Sequence, residues 1–531
     1  MSEAHGVGGS LRLIALASFI ALSALLTWWA ARRSRGASGF FVSGRSLTPL
    51  QNGLALSGDF MSAASFLGVT GLISIFGFDG LIYQVGFVSG WILILLVVAE
   101  PIRNCGKYTL SDVVALRMPG RSVRVATSLS SLLISLAYLL AQLVGAGALA
   151  SLLVPSLSAS AAILLVGVLM ITYVAFGGMT AATYVQIVKA VLIWIAAALL
   201  LLFALRHFGF SLDQLFGQAR QAARHPEAYL TPGAYFSNRL DTLSLAIALA
   251  LGTAGLPHVM MRFYTVPSAA AARNSAKVAL MVITSFAVTS SLLGFSATAM
   301  VGYADILKIN PSGNSAVVLL AAVLGGGQGT FGGELLLACI SAIAFATILA
   351  VVSGIMISSA SVIAHDIFAS VLFAGRGKPA NQVKLARTAT ILFGALAIGM
   401  ALMAQSLNVA FLVGLAFAVS ASSNLPVILY TLFWDRFNSS GAIATVIGGI
   451  ASSVGLVALG PAVIGPKGLL LHKLQPLVHL ANPGIISIPC GFFAGWLGTL
   501  LGRSKADDKA FQMHKLRMLS GYGAEAAVQD H

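Results

Sequence analysis

The segment SGDFMSAASFLG, Ser57 to Gly68, places one carboxylate, Asp59, among glycines and hydroxyl residues inside an otherwise apolar run. A carboxylate at that depth can carry a proton, contribute an oxygen to a sodium shell, or neutralise a buried cation. It is costly there, at roughly 2.5–3.5 kcal/mol on membrane-insertion scales, so it must face a protein interior or a cavity and not lipid. A second apolar run is interrupted in a similar way. ALGTAGLPH carries Gly252, Gly255 and Pro257 within one and a half turns. Glycine and proline release backbone N–H and C=O groups from the helix ladder, which membrane proteins tolerate where a cavity, an ion or a neighbouring helix takes those groups up. Close helix packing is the alternative account of the glycines, and a structural salt bridge is the alternative account of Asp59.

The elements that position these residues are spans of a bilayer. Of 531 residues, 58% are hydrophobic and 9% charged, and the mean hydropathy is +0.92. That is more apolar surface than a water-soluble domain can bury. The formal charge of +15 is spread over loops between apolar runs with no aromatic-interleaved basic domain, which excludes a nucleic-acid partner and points to lipid. Cys105, Cys339 and Cys490 are far apart, without metal-ligand or CxxC spacing, and read as ordinary thiols.

Runs long enough to cross about 30 Å of hydrocarbon fall near 11–31, 50–75, 80–102, 125–153, 159–177, 186–206, 241–262, 275–302, 332–358, 388–405, 409–431, 441–460 and 484–502. The expectation is an all-α polytopic protein of about thirteen spans. It comprises a short extracytoplasmic segment at 1–10, a transmembrane domain at 11–502 and a cytoplasmic tail at 503–531. Arg32, Arg33, Arg35, Arg45, Arg103, Lys107, Arg117, Arg121 and Arg124 gather in loops on one side, with Arg273, Lys277, Arg376, Lys378, Lys384 and Arg387. The positive-inside rule makes that side cytoplasmic, with the N-terminus outside. The first span has no basic n-region and is followed by ARRSR, so it reads as a retained helix and not as a cleaved signal. The two interrupted spans are the second and the seventh. That spacing is expected if spans 2–6 and 7–11, about 50–206 and 241–431, are inverted repeats.

These residues resemble the sodium:solute symporter family, and within it the cation/acetate symporters. The resemblance runs from about Phe40 to Phe437, through SGRSLTPLQNGLALSGDFMSAASFLG, DGLIYQVGFVSGW, KYTLSDVVALR, ITYVAFGGMTAATYVQIVKA, GTAGLPHVMMRFYTV, SAIAFATILAVVSG and VGLAFAVSASSNLPVILY. It implies a leucine-transporter-like inverted-repeat fold and secondary uptake of a small monocarboxylate in a bacterial inner membrane. It also implies Na+ or H+ as coupling ion, no other cofactor, and a cation site between the second and ninth spans. Ser62 matches the hydroxyl that relatives place on the broken second span. The ninth-span hydroxyl pair falls on Ala350 and Val351, with Thr347 one turn earlier and Ser353 just after. Gln186 stands where many relatives carry aspartate, and Ala159 where a larger residue is usual. The cation-coupling candidates are therefore Asp59, Ser62, Thr347 and Ser353, with Ser62 and Thr347 the hydroxyls for a sodium ion.

A small monocarboxylate offers one charge and one apolar tail, so recognition needs a few donors in a small dry pocket. Freed amides at a half-helix end supply them without a basic side chain. The candidates are the amides around Met61 to Ser65, with Tyr83 and Gln84 on the third span and the opened backbone at Gly252 and Gly255. Tyr83 also fits as a core aromatic. Lys189 reads either as an attractor for the anion or as a snorkelling side chain, Arg262 as an inner-gate or phospholipid contact, and His258 as a satisfied structural group. RSKADDKAFQMHKLRM reads as a surface-lying amphipathic segment.

Other classes fit less well. GASG at Gly36 to Gly39 has no histidine placed to activate Ser38, and HExxH is absent, so an intramembrane enzyme is not indicated. No repeated filter or charged ring marks a channel. A carrier for a longer monocarboxylate or an amino acid such as proline remains open, and the sequence is silent on oligomeric state.

Overall fold

The structure is a computed structural model. It describes residues 42–524, apart from 154–156, 234–237, 373–378, 406, 466–473 and 505, and a few isolated positions before 42. The expected segment 1–10 and most of the span near 11–31 lie outside the described residues.

The chain is helical because its apolar runs are long and backbone polar groups in hydrocarbon must be satisfied within the segment. Ten described helices are long and apolar enough to cross a membrane, and a pair bent by 55°, Pro49–Phe60 (α1) with Ala64–Phe76 (α2), makes an eleventh. The other main elements are α3 (Phe78–Cys105), α4 (Leu110–Arg117), α5 (Arg121–Leu153), α6 (Ala159–His207), α7 (Leu212–Ala222), α8 (Arg239–Thr253) and α9 (Pro257–Arg262). They are followed by α10 (Ala269–Val301), α11 (Tyr303–Ile309), α12 (Ala316–Leu324), α13 (Phe331–Ser361) and α14 (Pro379–Met403). The last are α15 (Val409–Ser422), α16 (Asn424–Phe433), α17 (Ser439–Ala458), α18 (Gly484–Leu501) and α19 (Asp508–Ser520).

Two expected spans, 159–177 and 186–206, are the two halves of α6. They meet at Gly178, where φ 64° and ψ −175° interrupt the helix. Only glycine adopts that conformation without strain, so the chain turns there without a loop. The expected break of the second span lies at Met61 to Ala63, between α1 and α2. The seventh span is interrupted between Thr253 and Pro257, where Pro257 opens α9. A third interruption, between α15 and α16 at Ser423, was not expected; Pro426, in the first turn of α16, has no N–H to give to Ser422 O.

One end of the bundle is tied by basic side chains. Arg103 donates from Nε to Val266 O at 2.6 Å and from Nη2 to Pro267 O at 2.7 Å. Arg117 reaches the carbonyls of Tyr430, Thr431, Asp435 and Phe437, capping the C-terminal end of α16. Arg124 bridges Asp112 at 2.9 Å and Asp366 at 2.8 Å, and His365 Nε2 lies 3.1 Å from Asp112. The tail helix α19 docks on the same end. Asn104 Nδ2 donates to Met518 O at 2.9 Å and Arg517 Nε to Asn104 O at 2.9 Å, while the Arg117 guanidinium lies over the Phe511 ring. The segment, expected to lie on a surface, is a helix with Phe511, His514 and Met518 buried against the bundle.

Candidate functional site

The break between α1 and α2 follows from its sequence. Met61 adopts φ −69° and ψ 78°, out of the helical region. Ser65 Oγ accepts from Ser62 N at 3.0 Å and donates to Phe60 O at 3.0 Å, while Ser62 Oγ accepts from Ala64 N at 3.2 Å. Serine side chains thus take the place of the missing ladder bonds. The amides of Met61, Ser62 and Ala64 are all engaged within the segment, Met61 N with Ser57 O at 2.8 Å.

Asp59, one turn before the break, is 1% exposed. Its Oδ2 accepts from Arg262 Nε at 2.6 Å and its Oδ1 from Gln186 Nε2 at 2.5 Å. Arg262, also 1% exposed, donates from Nη1 to Thr183 Oγ1 at 2.7 Å. Gln186 Nε2 also reaches Ala350 O at 2.7 Å, joining α6 to α13. Lys189 donates to Gly58 O and to Gln186 Oε1. The cluster needs close backbones: a side chain at Gly354 would meet Asp59 Oδ1 at 2.8 Å, and one at Gly58 would meet Gln186 O at 2.5 Å. Arg262 is therefore the partner of Asp59 and not a surface contact. Lys189 does not snorkel: it is 3% exposed and points at α1. The ninth-span backbone enters through Ala350 O, which accepts from Gln186 and, at 2.6 Å, from Ser353 Oγ.

The structure brings Asp59 together with Arg262, Gln186 and Lys189, and leaves the expected hydroxyls in local bonds. Thr347 Oγ1 donates to Ile343 O at 2.7 Å and Ser353 to Ala350 O, each on its own helix. In a low dielectric a carboxylate takes the strongest donor in reach, and a guanidinium exceeds a hydroxyl.

On the other side of the break lies an aromatic wall. Phe60 meets Phe87 at 5.3 Å and Trp91 at 6.4 Å between centroids, Phe87 meets Phe417 at 5.2 Å and Tyr83 at 6.4 Å, and Tyr138 stacks on His258 at 5.1 Å. Met61 is fully buried beside it, and Gln84 Nε2 is committed to Ser290 Oγ at 2.7 Å. Several polar atoms there have no protein partner: Trp91 Nε1, His258 Nδ1, and both amide atoms of Gln142. Gln142 lies four residues beyond Tyr138 on α5 and three before Gly145, whose position abuts Ala63 of the break. Orphaned buried polar atoms are uncommon in a native fold and each calls for a cause. Sequence reasoning missed Gln142. Its signal is helical spacing alone: Ser131, Ser135, Tyr138 and Gln142 form one buried stripe of α5.

Gly252 and Gly255 face the backbone of α15, the helix that carries Phe417 of this wall. A side chain at Gly252 would meet Phe417 O at 2.3 Å, and one at Gly255 would meet Ser420 Oγ at 2.6 Å. The carbonyls that the break frees are taken by the same neighbour, Gly252 O by Ser420 Oγ at 2.7 Å and Gly255 O by Asn424 Nδ2 at 2.9 Å. Here the glycines serve close packing.

A buried charge cluster against a broken helix, within a bundle of at least ten spans, is the layout of a carrier. The sodium:solute symporter family model matches residues 40–449. The chain belongs to the sodium:solute symporter family. It is 47% identical over 492 residues to an uncharacterized symporter, YwcA, of Bacillus subtilis, covering 93% of this chain and 94% of the relative. It is 41% identical over 547 residues to the monocarboxylic acid transporter of Corynebacterium glutamicum, covering 99% and 98%. A Na+-coupled sialic acid symporter, solved substrate-bound and outward-open, superposes with a TM-score of 0.70 at 16% identity, over 94% of this chain and 99% of that one. The symporter is thus a multi-pass membrane protein of the leucine-transporter-like inverted-repeat fold that moves a small solute together with a cation.

Proposed function

We propose that the symporter imports acetate or another short-chain monocarboxylate with a cation, by alternating access across a bacterial cytoplasmic membrane, with its N-terminus outside and α19 in the cytoplasm. The observation that carries this reading is the buried cluster of Asp59, Arg262, Gln186 and Lys189 at the end of α1. Such a group of charges in a membrane interior marks an ion pathway. The name of the Corynebacterium relative supports the substrate class, and the basic face supports the orientation.

Asp59 is the coupling carboxylate in this reading. Its pair with Arg262 keeps the carboxylate compensated while the coupling ion loads beside it, and Ser62, Thr347 and Ser353 are the hydroxyls available to the loaded site. The carboxylate of the substrate lies at the break beside the Met61 to Ser65 segment. Its short apolar tail faces Tyr83, Phe87 and Trp91, while Gln142 and His258 complete the polar contacts and Gln84, Gly252 and Gly255 hold the walls. Uptake of labelled acetate, with unlabelled acetate, propionate, pyruvate and proline as competitors, tests the class. Monocarboxylates are expected to compete and proline not. Competition by proline alone overturns the reading.

A further inference from the structure

Lys189 is 3% exposed, and its Nζ donates to Gly58 O and to Gln186 Oε1, the latter at 3.2 Å. Both acceptors are neutral. Gly58 lies in the last turn of α1, where the helix breaks and carbonyls carry the negative end of the helix dipole. These are the oxygens that a free metal cation would use at a discontinuous membrane helix. A lysine side chain reaches one of them instead.

The charges around it sum simply. Asp59, on α1, and Arg262, on α9, are the charged groups facing Lys189, and they pair with each other at 2.6 Å. His258, on α9, is the neighbouring imidazole. The ionisable residues of α10, α13 and α14, namely Arg273, Lys277, Glu334, Cys339, Lys384 and Arg387, lie toward the ends of those helices. An arginine keeps its proton in proteins, so the Asp59–Arg262 pair stays internally balanced. The charge of Lys189 is then the surplus one.

We propose that Lys189 is a tethered cation at the break of α1 and that the coupling ion is a proton it carries, one for each monocarboxylate moved. This rests on the substrate class proposed above. On the outer side the Lys189 amine takes a proton from water and becomes –NH3+, and the substrate carboxylate enters as its counter-charge. On the inner side the carboxylate leaves and –NH3+ returns its proton to water. The loaded site, with Asp59−, Arg262+, Lys189+ and RCOO−, is neutral, and so is the empty site with Lys189 as the free amine. The half-loaded forms carry a net charge in the membrane interior, which desolvation penalises. Only the fully loaded and the empty carrier cross, which is the condition for tight coupling.

The test uses purified, detergent-solubilised symporter and propionate as the probe, by calorimetric titration at pH 8 in two buffers of different ionisation heat. Wild type is expected to take up about one proton per propionate bound, with affinity unchanged by sodium chloride against choline chloride. In Lys189→Arg the proton count is expected to fall to near zero and net uptake by proteoliposomes at least tenfold. Lys189→Gln is expected to lose concentrative uptake driven by a pH gradient. Saturable sodium dependence with no proton uptake in wild type overturns the proposal, whether or not the variants fold. So does an undiminished proton count in a folded Lys189→Arg. If proline and not propionate binds, with one proton, the substrate class fails and the neutral loaded site with it, and only the proton-carrying role of Lys189 is kept. If no solute binds, both fall.

Discussion

The Asp59–Arg262 pair makes a quantitative prediction about removing one charge rather than two. Both side chains are 1% exposed, with Nε and Oδ2 at 2.6 Å. Arg262→Gln leaves Asp59 with only the Gln186 amide as a strong donor, and breaking a buried pair by removing one partner costs about 3–5 kcal/mol. Asp59→Asn leaves the guanidinium with Thr183 Oγ1 and no anion, at a cost in the same range. The double variant removes both uncompensated charges while keeping amide groups able to bond each other. It is therefore expected to be more stable than the sum of the single losses by about 2–3 kcal/mol, near the top of the usual range for contacting residues. Reversible unfolding of purified protein in mixed micelles of increasing SDS fraction measures all four corners of the cycle. Additivity within about 0.3–0.5 kcal/mol, the behaviour of independent sites, would refute the claim that the two charges compensate each other. None of the three variants is expected to accumulate substrate, so recovered stability without recovered transport separates the structural from the coupling role.

Gln142→Leu should raise unfolding stability by about 1–3 kcal/mol, because two orphaned amide atoms leave the core, and should weaken monocarboxylate affinity about tenfold or more, or about 1.4 kcal/mol; equilibrium binding beside the unfolding titration checks both. Gly252→Ala would set a methyl 2.3 Å from a backbone carbonyl, whereas Gly255→Ala meets the movable Ser420 hydroxyl. The first should lower membrane abundance several-fold and the second should be rescued in part by Ser420→Ala, read by fluorescence-detected size exclusion. Burial, with help from the charges of Arg117 and Arg517, pushes His514 down from 6.5 to about 4. The unfolded or undocked tail then binds the proton first, so docking of α19 is at full strength above pH 6.5 and weakens as pH falls toward 4. Between pH 7 and pH 5 the loss should be about 2 kcal/mol, visible as faster amide exchange across Asp508–Ser520 and abolished in His514→Leu. Asp112 should not contribute in that window: burial alone would raise it, but His365 and Arg124 outweigh burial and hold it well below the usual carboxylate range.

The break after Asp59 was legible because glycine, serine and a carboxylate inside an apolar run contradict a continuous span. Its partner was not. Arg262 lies 203 residues away, and its place at the end of an apolar run looks like an interface position. Lys189 was misplaced for a related reason: the expected span began at 186 and left the lysine near a helix end, whereas the second half of α6 already starts at Gly178 and sets Lys189 three turns inside it. The glycines of α8 were readable as a break, but not which neighbour filled it. The interruption at Ser423 had a mark in Pro426 that was passed over, while the Ser130 hydroxyl that ties it to α5 through the Ser423 and Asn424 side chains looks like an ordinary helix residue. Local chemistry writes itself into the chain; pairings between distant helices do so only through residues that must be ionised.

The docking of α19 also bears on the order in which the molecule is made. Asn104 meets Met518 across 414 positions, and Arg517 returns to Asn104 across 413. Until the ribosome has made residues 517 and 518, the end of α3 has none of these contacts. Long-range contacts of this kind form late because the chain between them must already be in place. Every nascent intermediate shorter than this thus has the corner open, and a quality-control protease that cuts exposed segments would meet a signal there until α19 has been made. Chains released early, before residue 508, would keep that corner open permanently and should be cleared faster than full-length chains in a pulse-chase.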